Sequence, residues 1–320
     1  MVFFITVLRA LAAVLITNSH YTGVYPTDLI ANGGLVGDIL FFAVSGYCLY
    51  NIKNNFLKWY GKRLFRCYLP VLLITVVYML LGFYKLSENN FVWWYIYPTY
   101  YHFVASIIVL YVPYYIVIKC DSLRSRIPLV MTIVAIVYCA CYLFVYDKSY
   151  YHIDTVREPM IRFLFFESML LGAWFRQNDT KYRNYFSVWH IVAVVISFFV
   201  YFGTKLLFSG SPSMSNFQIL NQVFIYVLLY YIFRLFMGLD KKLSATPKVI
   251  RKCIEHLSRI TLEIYVVQYI LIEELRSWVG FPLNWLVLTG AILLCAVILH
   301  TICKGIYKCF DRITGNVKQV

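Results

Sequence analysis

Charge is scarce in this chain: only 14% of its 320 residues are Asp, Glu, Lys or Arg, and acids number 15, against roughly a quarter charged in a soluble domain. With 61% apolar or aromatic residues and a mean hydropathy of +0.70, the polar surface is too small to cover a water-soluble fold. An ordinary globular enzyme is excluded, and the chain belongs in a bilayer. Long polar stretches are missing as well. If a span takes about 20 residues, ten spans use roughly 200 and leave about 120 for connections and tails. The whole of 1–320 therefore reads as one transmembrane domain without a separate soluble one. Also missing are a CxxC pair, a Walker loop, a GxGxxG segment and the HxxE or HxxxH spacing of a metal site, so no resident metal or nucleotide cofactor is expected. The nine cysteines, Cys48, Cys67, Cys139, Cys141 and Cys295 among them, lie in or beside apolar runs and read as small packing residues. No basic stretch precedes Val2–Ile16 and no small-residue cleavage site follows it, which reads as a retained first span rather than a signal peptide.

What is present is a series of apolar runs, at about 2–20, 33–52, 64–84, 101–118, 127–146, 159–175, 186–204, 217–237, 258–275 and 282–303. Polar turns separate them, such as Thr22–Pro26, Ser87–Asn90 and Ser209–Pro212. The expected fold is an all-α polytopic integral membrane protein of about ten transmembrane helices. Lys and Arg fix its orientation. The connections after runs two, four, six and eight, with the C-terminal stretch, hold 22 of the 29, whereas the alternate connections hold five. Under the positive-inside rule both termini are cytoplasmic. The same bias explains the net charge of +14 better than nucleic-acid binding does, and no nucleic-acid partner is expected. Of the 29 Tyr and 25 Phe, those in Trp93–Tyr97 and at Tyr100 and Tyr101 read as a membrane-interface belt, with stacking on sugar rings as the other use.

An ionisable side chain inside a span costs about 2.5–3.5 kcal/mol on insertion scales, so each asks for a partner or a task. Arg9, Asp38, Arg162, Glu167 and Glu263 fall in this class, and His20 lies at the outer end of the first run. Eleven residues separate Arg9 from His20. On a helix that is within about 20° of three whole turns and a rise of about 17 Å. One stripe thus carries a cation in the inner half of the bilayer and an imidazole near its outer side. Such a stripe suits a substrate that threads the membrane; the alternative is Arg9 paired with Asp38 or Glu167 and His20 idle at the interface. At the inner mouth of the third run, Arg63 and Arg66 sit three apart beside Lys62. They either clamp phosphate oxygens or simply anchor topology. Ser45, followed by Gly46, is a packing notch or an acyl-carrying nucleophile. Glu263 either orients His20 or pairs with Arg162, and His102 reads as an interfacial residue. His152 falls in an outer loop, while His190, His256 and His300 carry no metal spacing.

Three segments, taken together, resemble the membrane acyltransferase 3 family, which includes bacterial polysaccharide O-acyltransferases. They are Arg9-x10-His20, Gly37-Asp-Ile-Leu-Phe-Phe-Ala-Val-Ser-Gly-Tyr47, and Lys62-Arg63-Leu-Phe-Arg66 running on to Pro70. Arg162–Gly172, which contains Glu167, and Ser258–Tyr265 are similar to later family segments. The resemblance implies a multi-pass protein of the bacterial cytoplasmic membrane that moves an acyl group, most often acetyl, from cytosolic acyl-CoA to a hydroxyl of a surface or capsular glycan, free or lipid-linked. Acyl-CoA then serves as donor substrate. His20 would be the general base, Arg9 would meet the phosphate or carbonyl end of the donor, and Lys62, Arg63 and Arg66 would hold its phosphates. Ser45, Glu167, Glu263 and Tyr265 stand as secondary site candidates. A family histidine three residues beyond the tyrosine is replaced by Gln268 here, which removes a titratable group from that position. A polysaccharide exporter or flippase of the same fold is the alternative function.

Overall fold

The computed structural model describes residues 2–85, 92 and 101–313. The turn at Ser87–Asn90, the aromatic run Trp93–Tyr97, Tyr100 and the basic residue Lys318 lie outside the described residues. Among those described there is no strand, and the chain runs through α1 (Phe3–Ser19), α2 (Gly34–Leu49), α3 (Phe56–Leu80), α4 (His102–Lys119), α5 (Asp121–Arg124), α6 (Ile127–Phe144), α7 (Ile161–Gln177), α8 (Asp179–Tyr182), α9 (Val188–Ser209), α10 (Pro212–Ser215), α11 (Gln218–Gly238), α12 (Asp240–Ser244), α13 (Lys248–Arg259), α14 (Thr261–Leu275) and α15 (Leu283–Ile313).

A helix occupies every predicted apolar run, but the helices are not equivalent. Six of them, α3, α4, α6, α9, α11 and α15, are long and apolar enough to cross a membrane. The other four, α1, α2, α7 and α14, have only 15 to 17 residues. Sixteen residues rise about 24 Å, short of a hydrocarbon core of about 30 Å. Of the about ten expected spans, six are thus met by helices long and apolar enough to cross, and four by shorter helices. Hydropathy also misplaced some ends. α3 begins at Phe56, capped by the Asn55 side chain accepting from the Lys58 N–H at 3.2 Å, and α15 continues to Ile313. Both helices extend past their apolar stretches into basic turns, which a hydropathy count leaves out. α13, read as part of a connection, is a separate amphipathic helix.

The short helices form the interior. α2 and α7 cross with their backbones in contact at two glycines: a Cβ on Gly46 would land on the Met169 carbonyl, and one on Gly172 on the Ala43 carbonyl. Small residues allow this approach where lipid supplies no hydrophobic drive. Phe42 and Phe165 stack at 4.3 Å beside the crossing. α1 lies along α2, where a Cβ on Gly37 would come within 2.8 Å of the Ala12 carbonyl, and α14 packs against α1, α3 and α15. The longer helices put apolar faces outward, as with Leu129, Ile133 and Ile136 on α6 and Ile196 and Phe199 on α9. Gly172→Ala should therefore force α7 off α2. Overpacking of this kind costs about 1–3 kcal/mol, to be read as a lower melting temperature in detergent; an unchanged melting temperature would contradict the close crossing.

Contacts at the helix ends gather the basic connections together. The α1 N-terminus has no local cap, and Asp240 Oδ1 accepts from the Phe4 N–H at 2.9 Å instead. At the same end Tyr47 donates to Asp179, which also pairs with Arg183. Arg124 stacks on the Tyr50 ring at 4.4 Å, and the Tyr307 hydroxyl donates to the Arg66 carbonyl at 3.0 Å. At the opposite end Asn284 donates to the Val24 carbonyl at 3.0 Å and Tyr142 to that of Asn216 at 2.7 Å. The bundle thus has a basic end and a His20 end.

Candidate active site

Two hollows open in the core, one toward each end of the bundle. At the His20 end a cavity of about 460 Å³ is lined by His20, Asp38, His102, Asp154, Arg157, Lys205, Tyr265 and Tyr269, among others. At the basic end a cavity of about 190 Å³ is lined by Arg9, Ser45, Cys48, Arg63, Cys67 and Tyr111, among others. Between them lies a throat of about 10 Å³, about the volume one water needs. Phe103 lines all three spaces, Phe41 the throat and the basic cavity, and Tyr265 the throat and the His20 cavity. The rings close on one another, Phe41 to Phe103 at 4.8 Å and Phe103 to Tyr265 at 5.4 Å, while the Tyr265 hydroxyl accepts from the Phe103 N–H at 3.3 Å. This aromatic septum divides the two hollows.

The face of α1 inferred from the eleven-residue spacing is real, and it passes the septum: Arg9 reaches one cavity and His20 the other. His20 ends the helix, its backbone N–H donating to the Thr17 carbonyl at 3.1 Å, and its ring meets Tyr269 edge-on at 4.9 Å. Among the described residues its imidazole makes no hydrogen bond, so its nitrogens are available to a ligand. Asp38, one turn into α2, is 5% exposed, opens on the same cavity and has no hydrogen-bond partner among the described residues. It does not pair with Arg9. The Arg9 guanidinium reaches only Cys48 Sγ, at 3.8 Å, and no described carboxylate lies within ion-pair distance. The other half of that alternative fails too, for Glu167 is buried with Oε1 unpartnered among the described residues and lines neither cavity.

Other expectations shift. Glu263 neither orients His20 nor pairs with Arg162 but meets His300 Nδ1 at 2.8 Å, across α14 and α15. Of the basic trio only Arg63 lines the basic-end cavity; Lys62 and Arg66 lie outside it, and Arg66 is exposed. The packing notch belongs to Gly46, whereas Ser45 opens on the cavity beside Arg9. His102, read as an interfacial residue, lines the His20 cavity. Gln268 is fully buried with both amide atoms unpartnered among the described residues, and it lines neither the His20 cavity nor the basic-end one.

A hydrogen-bonded loop, Asp154–Arg157 of which lines the cavity, covers His20. Asp154 accepts from Tyr151 and Gln222, both at 2.6 Å, and pairs with Lys205 at 3.2 Å. Gln218 Oε1 accepts the N–H groups of His152 and Ile153, each at 3.0 Å. Burial and the Asp154 carboxylate push the Tyr151 phenol well above its ordinary value, so it remains a hydrogen-bond donor. None of these loop residues carried a motif; a polar-residue cluster shared by the loop and two later helices is visible only once they pack.

The acyltransferase 3 family model, described as an acyltransferase domain, matches residues 2–302. The chain belongs to the acyltransferase 3 family. Neither the curated proteins nor the solved structures give a match. In this acyltransferase the three segments that carried the resemblance converge on one axis: the first spans the septum along α1, the second supplies Asp38, Phe41 and Ser45 to the two cavities, and the third supplies Arg63.

Proposed function

We propose that the protein transfers an acyl group, acetyl first, from cytosolic acyl-CoA to a hydroxyl of an extracytoplasmic glycan, with its basic end in the cytoplasm of a bacterial cell and its His20 cavity outside. The observation that carries this reading is the placement of Arg9 and His20 on one face of α1 but in separate cavities, with the aromatic septum between them. The phosphates of the donor lie near Arg63 and Arg9, and the pantetheine arm follows α1 through the throat. The thioester reaches the His20 cavity. There the imidazole takes the proton of the attacking hydroxyl as the new C–O bond forms, the C–S bond breaks, and the imidazolium returns the proton to the departing thiolate. Asp38 accepts a hydrogen bond from the acceptor sugar and holds the attacking hydroxyl beside His20.

The septum favours transfer over export. An acyl-pantetheine arm passes once Phe41, Phe103 and Tyr265 turn, whereas a glycan, several times wider, would have to push apart α1, α2, α4 and α14 around the same throat. The test is transfer in proteoliposomes with radiolabelled acetyl-CoA at the basic face and envelope glycan inside. Label esterified to enclosed glycan, with matching release of coenzyme A, is expected. Glycan crossing the bilayer without consumption of acetyl-CoA would replace the transferase reading with the exporter. On the same reading Phe103→Ala, by opening the septum to water, should raise acceptor-independent hydrolysis of acetyl-CoA about tenfold, measured as free coenzyme A; unchanged hydrolysis would mean that Phe103 is not the barrier.

A further inference from the structure

Two carboxylates, Asp38 and Asp154, and two cations, Arg157 and Lys205, line the His20 cavity, and they are unevenly placed. Of its two carboxylates, Asp154 is answered by Lys205 at 3.2 Å and by the donors of Tyr151 and Gln222. Asp38 is recessed in the wall, 5% exposed. Arg157 is different: it stands exposed on the roofing loop, lines the cavity, and has no carboxylate within ion-pair distance among the described residues. Arg157 and Arg162 both act electrostatically on His102, which lines the same wall. Two helices also begin there. α2 starts at Gly34 and α4 at His102, so their positive dipole ends lie beside the same space, the Phe103 N–H of α4 being taken by the Tyr265 hydroxyl at 3.3 Å. Arg157 thus brings positive charge to the mouth, while the depth beside His20 holds a carboxyl without a hydrogen-bond partner among the described residues and an imidazole suited to a neutral hydroxyl.

We infer that the acceptor is an acidic glycan, one that bears a carboxylate or a phosphate next to the sugar that is acylated, and that Arg157 binds this anion while the neighbouring hydroxyl descends to His20 and Asp38. The inference rests on the acyltransferase reading for the hydroxyl's fate, but the anion site can be measured without it. Guanidinium forks hold carboxylate and phosphate oxygens through paired, charge-assisted hydrogen bonds. Arg157 follows Asp154 by three residues on a loop that is anchored through Asp154 and Gln218. Arg157 is a specificity-determining residue on this account and takes no part in proton transfer.

The experiment uses the full chain in nanodiscs and three oligosaccharides of equal length: a uronic-acid tetrasaccharide, its carboxyl-reduced twin and a glycosyl-phosphate oligomer. Binding is measured without donor, and transfer is measured with radiolabelled acetyl-CoA. At least one acidic oligosaccharide should bind about tenfold tighter than the neutral twin, with the preference shrinking as salt rises. Which acid it is separates carboxylate from phosphate. Arg157→Gln should erase the preference through KM for the acceptor, leave kcat at saturating acceptor within about twofold, and keep the wild-type melting temperature. An equal affinity for the neutral twin, failure of every oligosaccharide to bind, or a preference that survives Arg157→Gln overturns the inference. Acidic preference in binding without any transfer would remove the acyltransferase reading and leave the anion site standing; transfer without acidic preference would do the reverse.

Discussion

His20→Ala should lower kcat for acyl transfer by about 10²–10⁴-fold, the usual worth of a positioned general base, while leaving KM for acyl-CoA nearly unchanged. The split follows from geometry. His20 lies beyond the septum from Arg9 and Arg63, so its loss removes nothing that holds the donor's phosphates. Its ring is fixed by the edge-on contact with Tyr269 at 4.9 Å rather than by a hydrogen bond to another described side chain, so truncation leaves no buried partner stranded and should cost little stability. Steady-state kinetics with glycan and acetyl-CoA measures the effect. His20→Gln serves as the control for shape, since an amide keeps hydrogen bonding but cannot accept a proton near neutral pH. A His20→Ala enzyme retaining more than a tenth of wild-type kcat would end the base assignment, and a Gln variant close to wild type would reduce His20 to a positioning residue. Arg63→Ala should behave in the opposite sense, with a raised KM for acyl-CoA and kcat recovered at saturation.

The placement of the helices was legible because each is a run of apolar residues bounded by polar turns, and the α1 stripe because helical geometry converts a spacing of eleven directly into a shared face. What the sequence hid depends on contacts between distant segments. Glu263 finds His300, 37 residues on, a pairing no periodicity encodes. Asp38 and Arg9 are both costly in a span and looked like mutual partners, yet the septum puts them in different cavities. Ser45, followed by Gly46, read as a packing notch or an acyl-carrying nucleophile, but adjacent helical residues point about 100° apart, so the glycine meets Met169 of α7 while Ser45 opens on the cavity. The cavities were hidden as well: hydropathy counts apolar residues along one segment, and each hollow is lined by residues of several.

Arg9→Ala should reduce kcat/KM for acyl-CoA by about 10–10²-fold, the equivalent of losing a charge-assisted hydrogen bond of about 1.5–3 kcal/mol to the donor's phosphates, and it should also make the ligand-free protein more stable. The second effect distinguishes this prediction from mere misfolding. Arg9 and Arg63 share a cavity of about 190 Å³ with no described carboxylate among its lining residues, and the hydrogen-bond contact of the Arg9 side chain among the described residues is a 3.8 Å approach to Cys48. A guanidinium so placed carries the roughly 2.5–3.5 kcal/mol cost of a charge within a span, offset only when an anion arrives. Taking it away relieves the empty protein and deprives the loaded one. The melting temperature without ligand should therefore rise by a few degrees in Arg9→Ala, while the added stabilisation that saturating acyl-CoA gives the wild type should largely vanish. Arg9→Lys keeps the charge but lacks the planar fork and should recover part of the activity. A variant that loses activity and ligand-free stability together would show Arg9 to be a structural cation. One that keeps the stabilisation by acyl-CoA would move the donor's phosphates away from this cavity.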